Sequence, residues 1–281
     1  MTTAGAFRQR LRQEKPIIAP FAFDGFQARA AEAAGFEAVY MTGFGTAASY
    51  GLPDVGLIGA AEMTANVRRL AAQIRIPLIC DADTGYGNPL NVSATVTAYA
   101  AAGAAALHIE DQVWPKRCGF MDGKEVIASA DMVAKVRAAV DTSAGEGPVI
   151  IARTDALAPH GWNAAEDRAR AYADAGAELI FVDGIRTGDD LETLCERLGD
   201  LPLVYNGMLE STDALAERPL SVVLHPGPML ALFDTVHSVM AELAATGSVA
   251  AAGRSAVFGE VLRTLDARGW LARADAWASD G

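Results

Sequence analysis

Tyr172-Ala173-Asp174-Ala175-Gly176 runs directly into the largely apolar stretch 177–182, Ala-Glu-Leu-Ile-Phe-Val, which Asp183 closes. The same grammar recurs upstream, in Tyr99-Ala100-Ala101-Ala102-Gly103 before 104–109 and in Ala31-Glu32-Ala33-Ala34-Gly35 before 36–41. An alanine-rich run favours helix, and a glycine just past it supplies the left-handed cap. A short apolar run that follows reads as a strand buried on both faces. Repeated along the chain, this is a βα unit, the building block of a parallel sheet.

Working outward gives apolar strand candidates at 16–23, 36–42, 76–82, 104–110, 147–154, 177–183, 201–206 and 219–225. Helical segments separate them, among them 60–74, 129–142 and 163–175. Eight alternating pairs fit an α/β fold of the (β/α)8 TIM-barrel type better than an open doubly wound sheet, which strand counting alone leaves open. We expect one domain over 1–281, with additional C-terminal helices from 228 onward. In that tail 257–271 has the spacing of one amphipathic helix, and its Val257, Phe258, Val261, Leu262, Leu265 and Trp270 require cover. A neighbouring subunit would supply it, so a homo-oligomer, dimer or tetramer, is expected.

A chain of 281 residues with 51% apolar side chains can bury a full core. Its net charge of −12 argues against a nucleic-acid partner, which calls for clustered Lys and Arg. It also means that an anionic substrate must be held by local cations or a metal. No apolar run is long enough for a membrane span, and the first residues lack the apolar core of a signal peptide, so a cytoplasmic location with no membrane partner is expected. Cys80, Cys118 and Cys195 lack metal-type spacing and suit a reducing compartment.

Acidic signatures close several of the strands: Asp54 after Gly51-Leu52-Pro53, Asp81-Ala82-Asp83, Glu110-Asp111 and Asp155 after Arg153-Thr154. Residues two apart on a strand share a face, so Asp81 and Asp83 are expected to point together into the barrel mouth. Magnesium takes one or two protein carboxylates and fills its remaining positions with water, which Asp54 and Glu110 would hold. Taken singly, each Asp reads equally well as a helix cap. Arg153 carries a fork that binds a carboxylate at two points, or else pairs with Asp155 or Asp183. His108, alone in an apolar strand, reads more readily as a core histidine than as a ligand.

Residues 112–127 form a long connection after the fourth strand, of the kind that carries catalytic groups at a barrel rim. Within it Cys118 follows Lys116 and Arg117, cations that stabilise a thiolate. Cys80 reads as a small buried residue and Cys195 as a helix residue.

Together, Leu52-Pro53-Asp54, Asp81-Ala-Asp-Thr-Gly-Tyr-Gly-Asn88, His108-Ile-Glu-Asp111, Pro115-Lys-Arg-Cys-Gly119 and Ala152-Arg-Thr-Asp155 resemble the isocitrate lyase / phosphoenolpyruvate mutase superfamily, and the likeness spans about 16–226. The chain is most similar to the members resembling 2-methylisocitrate lyase. The resemblance implies a magnesium-dependent enzyme, with manganese as the alternative ion, that makes or breaks a carbon–carbon bond of a small carboxylate through an enolate. By family pattern Asp81 and Asp83 hold the ion, with Asp54 and Glu110 around it. Thr42, Gly43 and Phe44 cradle a keto acid, Arg153 grips its carboxylate, Asn206 and Gly119 line the site, and Cys118 acts as acid or base beside Lys116.

Three departures stand out. Phe120 replaces the usual histidine after Cys-Gly, Asp183 replaces a glutamate, and an arginine expected after the eighth strand is missing from Pro226-Gly-Pro-Met-Leu-Ala231. The first and third, both losses of a polar group, fall on the side facing the substrate's far end, where an apolar site would disfavour a second or third carboxylate. The resemblance thus points to a lyase for a 2-hydroxy or 2-keto acid smaller or more apolar at its distal end than 2-methylisocitrate. An oxaloacetate decarboxylase or hydrolase, a phosphonomutase, and a catalytically weakened keto-acid binder remain as alternatives.

Overall fold

The computed structural model describes residues 2–119, 121–249 and 254–279. Among them, eight parallel strands close into a barrel in sequence order, β1 Ile17–Ala22, β2 Val39–Met41, β3 Leu78–Asp81, β4 Ala106–Glu110, β5 Val149–Thr154, β6 Leu179–Val182, β7 Leu203–Asn206 and β8 Val222–His225. β8 returns to pair with β1, Ile17 opposite Val222. The expected barrel is therefore present and the open sheet is excluded.

Each observed strand lies inside its expected range but is shorter by one to three residues at its start, because the helix-to-strand turn takes up the residues after the cap. Gly35, Gly103 and Gly176 stand in those turns at φ values of 91°, 102° and 101°, the left-handed conformation that glycine adopts without steric cost.

The alternation of side chains along each strand sorts the core into two layers. Leu78 and Cys80, Leu107 and Ile109, Ile150 and Ala152, and Ile180 and Val182 face outward, into a continuous apolar layer with helix residues such as Val67, Val96 and Val136. Ile17, Tyr40, Ile79, Ile151, Phe181, Val204 and Leu224 face the barrel axis and form a second cluster. Continuing the inward row of each strand to its C-terminal end gives Thr42, Asp81, His108 and Glu110, Arg153, Asp183 and Asn206. The period of two thus delivers polar residues from different strands to one point above the apolar plug.

The connection 112–127 is tied down by a bridge between Gln112 and Val126 and by the Asp54 carbonyl, which accepts from the Cys118 amide at 3.0 Å. The tail differs from the expectation of a single helix over 257–271. Arg254–Thr264 and Ala267–Ser279 are separate helices, broken at Asp266, φ 54°. Periodicity is blind to such a break, because the apolar residues on either side still recur at helical spacing. Among the described residues no helix is long and apolar enough to cross a membrane.

Candidate active site

Asp81 ends β3, 5% exposed, and its Oδ2 accepts from the Gly43 amide at 3.1 Å while its Oδ1 accepts from the Asp83 amide at 2.9 Å. Gly43 opens the short helix Gly43–Ser49, and a Cβ there would stand 2.6 Å from Asp81 Oδ2, so only glycine allows this approach. Thr42 caps that helix through a bond from the Gly45 amide.

Asp83 reaches the mouth by a different route from the one expected. The strand stops at Asp81, and Asp83 sits in the left-handed region at φ 47°, in the turn rather than on the strand face. Its carboxylate nonetheless lies 2.8 Å from Lys116 Nζ, which also contacts Asp54 Oδ1 at 2.5 Å. Neither Asp81 nor Asp83 caps a helix, since Asn88 caps the one that follows.

Arg153 is ringed by acids. Its Nε and Nη2 donate to the two oxygens of Asp155, both at 2.9 Å, and it lies 3.3 Å from both Glu110 and Asp183. The guanidinium therefore has both a structural pairing and a place in the cavity wall. Asp155 in turn is anchored through Asp111, which accepts from the Asp155 amide, Thr154, Arg168 and Tyr172.

Electrostatics at the rim are unbalanced. Asp54, Asp81, Asp83, Glu110, Asp155 and Asp183 face Lys116, Lys124 and Arg153, six carboxylates against three cations in a nearly dry site. Burial raises the Asp83 carboxyl to about 6 despite Lys116, with Asp81 adding to the effect, and burial likewise holds Glu110 well above the usual carboxylate range. For Asp81 burial is outweighed by His108, Lys116 and Arg153, which bring it down to about 2. His108, fully buried, is lowered to about 4 and is neutral at neutral pH, with Nε2 2.8 Å from the Tyr40 hydroxyl.

These residues fit a divalent cation. Glu110 Oε1 is buried without a hydrogen bond, and Asp83 Oδ1 has only the Lys116 ammonium, at 2.8 Å. Unsatisfied acceptors in a region of excess negative charge are what an ion and its water shell would satisfy. Among the described residues no three acidic, histidine or cysteine side chains converge at direct-ligand distance. The set therefore suits an ion held by one or two carboxylates, its other positions filled by water.

The cavity is lined by Phe21, Tyr40, Thr42, Phe44, Asp54, Asp81, Lys116, Cys118, Gly119, Arg153, Asp183 and Asn206. Cys118 is 8% exposed. The cations beside it in sequence point elsewhere, Lys116 to its two acids and Arg117 to the Asp122 carbonyl. Asn206 Oδ1 is buried with no partner. Phe120 lies outside the described residues.

Sequence reasoning missed Lys124, whose ammonium bonds to Asp155 at 2.9 Å and Asp183 at 2.7 Å, and Tyr40 under Asp81. A lysine inside a long rim connection rich in charge was the available signal for the first. The second gave none, because an aromatic in a strand reads as core.

Residues 7–244 match the family model for phosphoenolpyruvate phosphomutase. The chain belongs to this family. It is 44% identical over 229 residues to 2-methylisocitrate lyase of Escherichia coli, covering 79% of this chain and 77% of that one. It is 40% identical over 223 residues to 2,3-dimethylmalate lyase of Eubacterium barkeri, covering 75% and 77%. Among solved structures, oxaloacetate acetylhydrolase with 3,3-difluorooxalacetate superposes with a TM-score of 0.92 at 29% identity, over 99% of this chain and 97% of that one. Phosphonopyruvate hydrolase with oxalate and Mg²⁺ gives 0.85 at 30% identity, over 98% and 99%. The phosphoenolpyruvate phosphomutase-family chain is thus an enzyme of the superfamily that its sequence motifs resemble, and lyases are among its relatives.

Proposed function

We propose that this enzyme cleaves a carbon–carbon bond in a 2-hydroxy or 2-keto carboxylic acid with an alkyl-bearing, weakly charged distal end. The observation that carries the reading is the meeting of Arg153, Cys118, Asp54 and Asp81 in one cavity, with the buried carboxyls of Asp83 and Glu110 beside it. Asp81 and Asp83, with Asp54 and Glu110 around them, would hold magnesium. When bound, the ion supplies Lewis-acid stabilisation of negative charge on a substrate oxygen.

The protein groups divide the remaining work. Arg153 binds the substrate carboxylate, held in orientation by Asp155. Thr42, Gly43 and Phe44 bound the same end, and Lys116 limits repulsion between Asp54 and Asp83. In cleavage of a 2-hydroxy acid the hydroxyl proton passes to water as its C–O bond becomes a carbonyl, and a 2-keto acid enters the same route once water has added to its keto carbon. The electrons of the broken C–C bond pass to the leaving carbon, and Cys118 delivers the proton it takes up.

An apolar distal side is supported by the wall at β1 and β8. Phe21 of β1 lines the cavity, and Phe233, after β8, stacks on Phe23 at 5.6 Å. Pro226-Gly-Pro-Met-Leu-Ala231, where an arginine was expected, instead buries Met229. A panel assayed with magnesium tests it: 2-hydroxy or 2-keto acids with alkyl distal groups should turn over faster than 2-methylisocitrate and isocitrate, and the reverse order would end the proposal. Oxaloacetate and phosphonopyruvate in the same panel read out the hydrolase and mutase alternatives. We also propose a homo-oligomer, because Phe258, Trp270, Leu271 and Trp277 of the tail are 60–71% exposed. Light scattering reads its size.

A further inference from the structure

Lys124 lies beyond the residues that the family pattern assigns, yet it is 5% exposed and its three N–H donors are all spent. They reach the Gly119 carbonyl at 3.1 Å, Asp155 Oδ1 at 2.9 Å and Asp183 Oδ2 at 2.7 Å. One ammonium therefore joins the Cys118–Gly119 segment to the rims of β5 and β6. Burial would lower its pKa, but Asp183 and Asp155 outweigh burial and raise it, so the charge persists at neutral pH.

The start of the connection is tied down by the Gln112–Val126 bridge, by Gln112 bonds to the Arg117 backbone and by the Cys118 amide on Asp54, whereas Lys124 joins Gly119 to β5 and β6. Among the described residues of the segment, the apolar side chains of Val113, Trp114 and Met121 are 39–45% exposed. Lys116 pins its other side to Asp54 and Asp83, leaving Cys118 between two buried lysines. The same two acids that hold Lys124 also contact Arg153, and a Cβ at Gly119 would stand 2.6 Å from Asp183 Oδ2 and 3.0 Å from Arg153 Nη2. Any shift of Lys124 therefore moves both the segment that carries the thiol and the acids that orient the guanidinium.

We infer that Lys124 is a positioning residue, a clasp that seats Cys118 and Gly119 over Arg153 by bridging the Gly119 carbonyl to Asp155 and Asp183. It touches no reacting atom and acts through the residues it holds. The inference rests on the reading of Cys118 as the proton donor for its significance, but its test needs no turnover.

That test is alkylation of Cys118 by iodoacetamide, followed peptide by peptide by mass spectrometry, in the wild type, Lys124→Met and Lys124→Arg, with thermal melts alongside. Charge-assisted hydrogen bonds of this kind correspond to roughly tenfold or more in the population of the displaced segment. Cys118 labelling should accelerate by about that factor in Lys124→Met and return toward the wild-type rate in Lys124→Arg. Cys80, fully buried in the outer layer, should label no faster in any variant. Wild-type Cys118 labelling in a Lys124→Met protein that melts normally overturns the clasp, as does faster labelling of Cys80 in step with Cys118. If Lys124→Met does not fold, Lys124→Gln is judged by the same criteria. Faster Cys118 labelling in an enzyme that cleaves nothing in the panel would keep the clasp and reject the lyase reading.

Discussion

Gly119 lies against Asp183 so closely that a single methyl group would not fit: its Cβ would fall 2.6 Å from one carboxylate oxygen and 2.9 Å from the other. Asp183 is held there by Lys124 and Arg153, so it has little freedom to retreat. Gly119→Ala should therefore displace the Cys118 segment and reduce kcat/KM by roughly 100-fold, the order seen when a 1 Å misplacement enters an active site. Steady-state kinetics on the best substrate of the panel checks this, with a near-normal melting temperature as the control for folding.

Cys118 separates binding from chemistry. Removal of a positioned proton donor costs roughly 10²- to 10⁴-fold, so Cys118→Ala should lose turnover by about that much. Oxalate binding with magnesium, measured by calorimetry, should stay close to wild type, since the groups proposed to hold a small dicarboxylate are Arg153 and the acid cluster. Unchanged turnover would remove the thiol from the mechanism.

Magnesium binding should appear without any assay of catalysis. Calorimetry of the chelator-treated protein should show uptake of the ion, and a rise in melting temperature should follow the magnesium concentration, as for any ligand that binds the folded state alone. Glu110→Gln and Asp83→Asn should weaken that uptake, because each removes one of the buried charges that the ion would neutralise. Chelation should abolish turnover, and a protein indifferent to both chelator and magnesium contradicts the proposed function at its base.

Asp111 makes a prediction about stability rather than chemistry. Its buried carboxylate accepts from Thr154, the Asp155 amide, Arg168 and Tyr172 at 2.7–2.9 Å. Asp111→Asn keeps the volume but leaves Arg168 without its counter-charge, which should cost about 3 kcal/mol in urea unfolding. Because Asp155 loses an anchor, activity should fall as well.

How much was legible in the sequence follows from how each residue is placed. Asp81, Glu110, Arg153 and Asn206 lie on strands, where a period of two fixes which face a side chain takes once the strand is recognised. Their meeting at one rim could be read from the chain. Asp83 could not be placed that way, since its carboxylate arrives through a left-handed turn that a strand pattern does not encode. The pairing of Arg153 with Asp155 was among the readings left open, and the geometry adds Glu110 and Asp183 to it. The tail was half legible: its apolar spacing was correct, but the break at Asp266 was invisible to it.

The sequence by itself determined the repeating βα unit, its eight strands and the row of polar residues at their ends, because these depend on local periodicity and on caps a few residues away. Only the tertiary structure decided which cation meets which acid. Lys124 and Asp183 are far apart along the chain, and so are Lys116 and Asp54. Coulomb attraction in a dry site depends on distances between side chains that chain order does not specify.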